Sequence, residues 1–258
     1  MQRYFVQIAY NGTAYHGWQF QPNAMTVQET LNKAFSTILR EDINLVGAGR
    51  TDTGVHASFF VAHFETENEI ADCGRLVFKL NSFLANDVRV DTIFRVDESM
   101  HARFSALSRT YHYYFASQKQ PFGNDITVFL PSKPDVELMN EAARSLFDYV
   151  DFTSFSKLHT DVKTNNCLIM KAEWQQKHDL LVFEIKADRF LRNMVRAIVG
   201  TLLKVGLRQI TLDEFKQIIE MKDRSRAGAS VPGCGLFLSD IEYPEPVNSL
   251  LIRRFAIE

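Results

Sequence analysis

Strand-like runs crowd this chain, and only some of them are separated by stretches that read as helix. YFVQIAY (4–10), SFFVAHFET (58–66), VRVDTIFRV (88–96), SRTYHYYFA (108–116), NCLIMKAEWQ (166–175), DLLVFEIKA (179–187) and GLFLSDIEY (235–243) are rich in β-branched and aromatic residues. INLVGAG (43–49) reads the same way. A chain whose strands were all joined by helices would build a parallel sheet; here several neighbours are joined by turns, such as the Gln-Lys-His stretch before Asp179. Helical stripes fall at Val27–Leu39, near 71–84 with Leu76, Leu80, Phe83 and Leu84 inward, at Val136–Phe147, from about Phe190 to Val205, and from Thr211 towards Met221. Thr26 with Glu29, and Thr211 with Glu214, have the spacing of capping boxes, and Gly206 sits where a C-terminal cap belongs. The pattern predicts an α+β fold with mainly antiparallel sheets packed by helices, in two similar halves, 1–104 and 105–258, closely packed because no low-complexity linker divides them.

The 258 residues are 46% hydrophobic, with 21 Phe, enough for a sizeable core. Basic and acidic residues nearly balance, 29 against 31, so any nucleic-acid surface must be local. Cys73, Cys167 and Cys234 are too far apart for a Cys-x-x-Cys knuckle, and the seven His form no metal-ligand pattern. No metal is expected. MQRYFVQIAY is too polar for a signal peptide, and no run approaches the roughly 18 apolar residues of a membrane span. The expectation is a reduced, soluble, cytoplasmic protein with no membrane partner.

Chemistry concentrates in GAGRTDTGVHA (47–57), where Asp52 lies between two apolar runs. Asp and Gly are turn residues, so an ordinary turn explains them. As a dinucleotide-binding turn the stretch fails, because the third glycine of that fingerprint would fall at Asp52 and a strand follows. As the Asp-Thr-Gly of an aspartic protease it lacks a second copy to share the proton, and Arg50 would favour full ionisation. What remains is a lone carboxylate, kept charged by an arginine and acting as nucleophile or base. Arg50 is one candidate partner. Arg196 is another, on a helix where Arg189, Arg192 and Arg196 would share one face.

GAGRTDTGVHA resembles the signature of the tRNA pseudouridine synthases that modify positions 38–40 of the anticodon stem-loop. The resemblance continues through YNGTAYHGWQFQP, MHARFSALSRTYHYYF, DFTSFSK, FLRNMVRAIVG and GLFLSDIEYP, six segments in the family's order. It implies the pseudouridine synthase fold, with a catalytic cleft between the halves, no cofactor, tRNA as substrate and a homodimer with one RNA lying across both subunits. Asp52 matches the catalytic aspartate, attacking base or sugar, and Arg196 the arginine that keeps it ionised. Tyr111 matches the tyrosine that packs on the flipped base, and Arg50 the arginine that helps hold the extruded nucleotide. Phe155 and Leu236 fall in matching segments as pocket walls. His56 is either an RNA contact or a satisfied loop histidine. Two departures stand out: Thr53 where the family often has Ala, and Arg192-Asn193 where many members carry His-His.

From Lys186 to Arg208 there are six basic residues and one acid. If Arg189, Arg192, Lys204 and Arg208 meet four phosphates, log affinity should fall with log salt at a slope of about −3. The alternative to an enzyme is an RNA-binding protein of the same fold that performs no reaction, which would not require Asp52.

Overall fold

A computed structural model describes residues 1–157 and 164–253. Two compact units divide the chain: Met1–Leu107 with the residues from Leu238 onward, and Ser108–Phe237.

In the first unit, β1 (Gln2–Tyr10) is the middle of an antiparallel sheet. It pairs on one side with β3 (His56–Thr66) and on the other with β4 (Val88–Val96). Phe5 lies opposite His63 on β3 and Phe94 on β4, so an aromatic row crosses the three strands. Helix α1 (Val27–Leu39) buries Val27, Leu31, Ala34 and Phe35. Phe35 meets Phe64 of β3 edge to face, with ring centroids 5.0 Å apart. Thr26 caps α1, its hydroxyl accepting from the Glu29 amide at 3.3 Å.

Two sequence expectations shift here. INLVGAG yields only the two-residue β2, Val46–Gly47. The preceding backbone is satisfied by α1 side chains instead: Leu45 N donates to Asn32 Oδ1, Gln28 Nε2 to Leu45 O, and Ile43 N to Ser36 Oγ. Helix α2 (Cys73–Phe83) buries Leu76 and Leu80 as expected, but Phe83 is exposed, because the buried stripe opens at the helix's last residue.

The second unit is built on β5 (Ser108–Ala116), β8 (Leu180–Ala187) and β7 (Ile169–Lys177), antiparallel in that order, with the short β6 (Val128–Phe129) parallel to β5. Trp174 of β7 lies opposite Phe183 of β8, and Phe183 opposite Tyr113 of β5, a second buried aromatic row. Helix α3 (Val136–Ser145) is tied to β7 by Asn140, which donates to Trp174 O at 3.0 Å and accepts from Trp174 N at 2.8 Å. Helix α5 (Leu212–Glu220) has a complete capping box between Thr211 and Glu214.

Helix α4 runs Met194–Gly206, four residues later at its start than the periodicity predicts. Asp188 Oδ1 takes the amides of Leu168 and Arg189, both at 2.7 Å, and Asn193 adopts a left-handed φ of 66°, so the chain before Met194 turns rather than winds. Gly206 is the last helical residue, and the left-handed turn comes at Arg208, φ 56°. The glycine answers a packing need: a Cβ there would lie 2.6 Å from Met139 Cγ. Strand β9 (Leu236–Glu242) crosses the division, with Leu238 onward in the first unit beside β3. Among the described residues no helix is long and apolar enough to cross a membrane.

Candidate active site

Asp52 stands half-buried on the loop between β2 and β3. Its carbonyl accepts from Val55 N at 3.1 Å, and Gly54 has φ 72°, so Asp52–Val55 is a turn that needs a left-handed third residue. The turn explanation of Asp-Thr-Gly therefore holds, and the acid sits at the turn's first position.

The loop is fixed by residues 12–18, to which the sequence alone assigned no role. Trp18 N donates to Thr51 O (3.2 Å), and Gly54 N donates to Tyr15 O (3.3 Å). Tyr10 and Thr51 join their hydroxyls at 2.9 Å. Gly12 packs so closely that a Cβ would lie 2.1 Å from Val55 O, and at Gly17, φ 89°, a Cβ would lie 2.4 Å from Thr51 O. Trp18 stacks on Phe60 at 4.2 Å, and a Cβ on Gly47 would meet its indole at 2.6 Å. Tyr10, Gly12, Tyr15, Gly17 and Trp18 of YNGTAYHGWQFQP thus all bear on the Asp52 loop. The signal was present as glycine spacing, but its target was not.

Arg50, on the same loop, is exposed. Of the two readings of His56, the satisfied histidine fits the geometry: it begins β3 at the end of the loop, is fully buried, and its Nδ1 accepts from Gly12 N at 3.0 Å. It has no surface for RNA and belongs to the loop's support.

In the second unit, Tyr111, Tyr113 and Tyr114 of β5 are covered to different extents. Tyr113 is fully buried and donates to Pro232 O at 2.8 Å, and Tyr114 is buried edge-on to Phe237 at 5.3 Å. Burial raises the Tyr113 phenol well above its ordinary value, which suits a neutral donor. Tyr111 is the one of the three that stays partly open, edge-on to Phe190 at 5.1 Å. Phe155 is fully buried between Phe152 and Phe215, in the core of its unit. Leu236 is also buried, at the start of β9.

Arg196 lies in the first turn of α4, where its Nε donates to Val231 O at 2.7 Å and its carbonyl accepts from Val231 N at 3.2 Å. A second arginine, not foreseen, holds that segment. Arg224 donates to Gly228 O (3.2 Å) and Ser230 Oγ (2.8 Å), and Asn193 Nδ2 donates to the same Ser230 hydroxyl at 2.6 Å. Close backbone approach completes the clasp, since a Cβ on Gly200 would lie 2.0 Å from Ala229 O. No sequence pattern pointed to Arg224.

The helical face expected for Arg189, Arg192 and Arg196 does not form, because α4 begins only at Met194, and the wider set of basic residues is divided. Arg189 and Arg192 precede the helix, while Lys204 and Arg208 lie at its far end, about 20 Å along a helix of 13 residues. Arg208 is also paired with Asp135 at 2.9 Å. Among the described residues no cluster of three or more His, Cys, Asp or Glu is arranged to hold a metal ion.

Residues 7–105 and 142–244 match the family model described as tRNA pseudouridine synthase. The chain is 56% identical over 245 residues to the tRNA pseudouridine synthase A of Parabacteroides distasonis, covering 95% of this chain and 97% of that protein. Proteins of the same name from Bacteroides fragilis and Bacteroides thetaiotaomicron are each 54% identical, over 96% of this chain and 98% and 93% of theirs. With both the family model and these relatives spanning most of its length, the chain belongs to the tRNA pseudouridine synthase family.

Proposed function

We propose that this chain is an isomerase that converts uridines at positions 38–40 of the tRNA anticodon stem-loop to pseudouridine, with Asp52 as nucleophile or base. The bond from ribose C1′ to uracil N1 breaks, the base turns, and C1′ bonds to C5. The C5 hydrogen leaves as a proton, and N1 ends protonated. Flipping a stacked base costs a few kcal/mol, and stacking on an aromatic ring returns about 1–3 kcal/mol. Tyr111 takes that role as the partly open tyrosine of its strand. Arg50 and Arg196 hold the substrate, and Arg189, Arg192 and Lys204 meet its backbone. The enzyme works in the cytoplasm as a homodimer.

The observation that carries this is the support around Asp52. Two glycine contacts and two backbone hydrogen bonds fix a half-buried acid at one place. Fixed geometry is what an attacking group requires. The test uses tRNA transcript carrying tritium at C5 of uridine. Wild type should release tritium to water; Asp52→Asn should release none while binding tRNA within a few-fold. Binding without release by wild type would leave an RNA-binding protein. Equal loss of binding and release in the variant would make Asp52 a structural acid.

A further inference from the structure

The loop at 100–107, MHARFSAL, takes no part in the proposed reaction, yet its backbone is held at nearly every residue. Arg3 Nη1 donates to Met100 O at 2.9 Å. His101 N donates to Ser105 Oγ, and Ser105 N to His101 O, both at 2.9 Å. Ala102 N donates to Nδ1 of the buried His63 at 3.2 Å, and the Tyr243 hydroxyl donates to Ala102 O at 2.5 Å. His101 Nδ1 then receives the amides of Arg103 (3.0 Å) and Phe104 (3.3 Å). Leu107 N donates to Glu242 O at 2.8 Å.

On this fixed frame Phe104 is 76% exposed. A single exposed apolar residue is ordinary on a protein surface. A phenyl ring presented by a loop with so few free backbone groups is preorganised, and the ordering cost of a contact is removed before a ligand arrives. The ring also has company. The Arg103 guanidinium carbon lies 5.5 Å from its centroid, and the His101 ring 4.4 Å from it at 38°. An apolar pocket on a partner protein would accept the phenyl but would have to desolvate the guanidinium beside it. An unpaired nucleobase uses both: its π face stacks on the ring, and the adjoining phosphate meets the cation.

We propose that Phe104, with Arg103 and His101, forms a stacking platform for an unpaired base of the RNA substrate, other than the uridine that reacts. The proposal rests on the reading of this chain as an enzyme acting on tRNA.

The experiment compares Phe104→Ala, Phe104→Leu and Phe104→Trp with wild type in tRNA binding and in tritium release. Loss of the ring should weaken tRNA binding on the order of tenfold, raising KM and leaving kcat at saturating tRNA near wild type. Leu, apolar but without a π face, should lose as much as Ala, and Trp should bind as wild type or better. Trp18 and Trp174 are both buried, so the added indole is the one whose fluorescence a stacked base would quench. Wild-type affinity in Phe104→Ala, with normal tritium release, overturns the platform and leaves the proposed function standing. Full rescue by Leu overturns it in favour of apolar packing. A change in sedimentation with unchanged tRNA affinity assigns the ring to contact between copies of this chain. If wild type neither binds tRNA nor releases tritium, the proposed function falls and the platform with it.

Discussion

The Asp52 loop and the Arg196 segment hold charged groups by different means. The first unit leans on backbone, with Tyr10, Trp18 and His56 bracing it: glycines at 12 and 17 let two stretches of chain approach until their amides and carbonyls pair. The second unit uses side chains: Arg196 grips Val231 O, and Arg224, Ser230 and Asn193 brace the loop that carries it. Backbone contacts leave no room to adjust, whereas a network of long side chains shifts by rotamer changes. The loop around Asp52 should therefore be the less tolerant of substitution.

The largest expected effect comes from Gly17→Ala set beside Gly200→Ala. At Gly17 a Cβ meets Thr51 O and the backbone is left-handed, so strain of about 1–2 kcal/mol adds to overpacking of about 1–3 kcal/mol. Gly200→Ala carries only the overpacking, against Ala229 O. Denaturant unfolding should show Gly17→Ala to be the less stable variant, with tritium release lost. Equal stability of the two would break the comparison.

Acid should separate the units next. His63, in the first unit, is held neutral by burial, with His101 and Arg3 beside it adding to the effect, so its pKa drops from 6.5 to about 4. The unfolded chain takes up that proton first. The contribution is complete above pH 6.5 and is lost as pH falls to about 4. In the second unit Glu184 is stabilised as a carboxylate, first by hydrogen bonding to His112 and then by Lys171 at 2.6 Å, against the cost of burial. Its pKa falls from 4.5 to about 2, and its contribution is complete above pH 4.5 and lost below. Hydrogen exchange at pH 5 should show amides 102–105 losing protection while the β5–β8 ladder keeps it. The reverse order would mean that His63 is not what holds its loop.

Arg224→Gln should have the smallest effect. Losing two hydrogen bonds on a partly buried loop costs about 1 kcal/mol, or roughly 2–4 °C in Tm. A few-fold fall in kcat/KM is expected from misplacing Arg196. Unchanged kcat/KM would confine Arg224 to structure.

What the sequence by itself determined was local. VRVDTIFRV and SRTYHYYFA are strands over the residues predicted, because β-branched and aromatic side chains favour extended backbone wherever they pack. The turn chemistry of Asp-Thr-Gly, the Thr211 box and the α1 stripe are equally short in range. Tertiary structure decided which distant segment satisfies each backbone group. It shortened INLVGAG by offering Asn32 and Gln28, delayed α4 through Asp188 and Asn193, buried His56 under Gly12, and brought Tyr243 to Ala102 across 141 residues. It also separated Tyr111 from Tyr113, because Gly235 and Pro232 close over one ring while the other stays partly open. Propensity acts over a few residues; a hydrogen-bond partner is chosen by whatever the folded chain places within 3 Å or so, and that choice is not written in the neighbouring sequence.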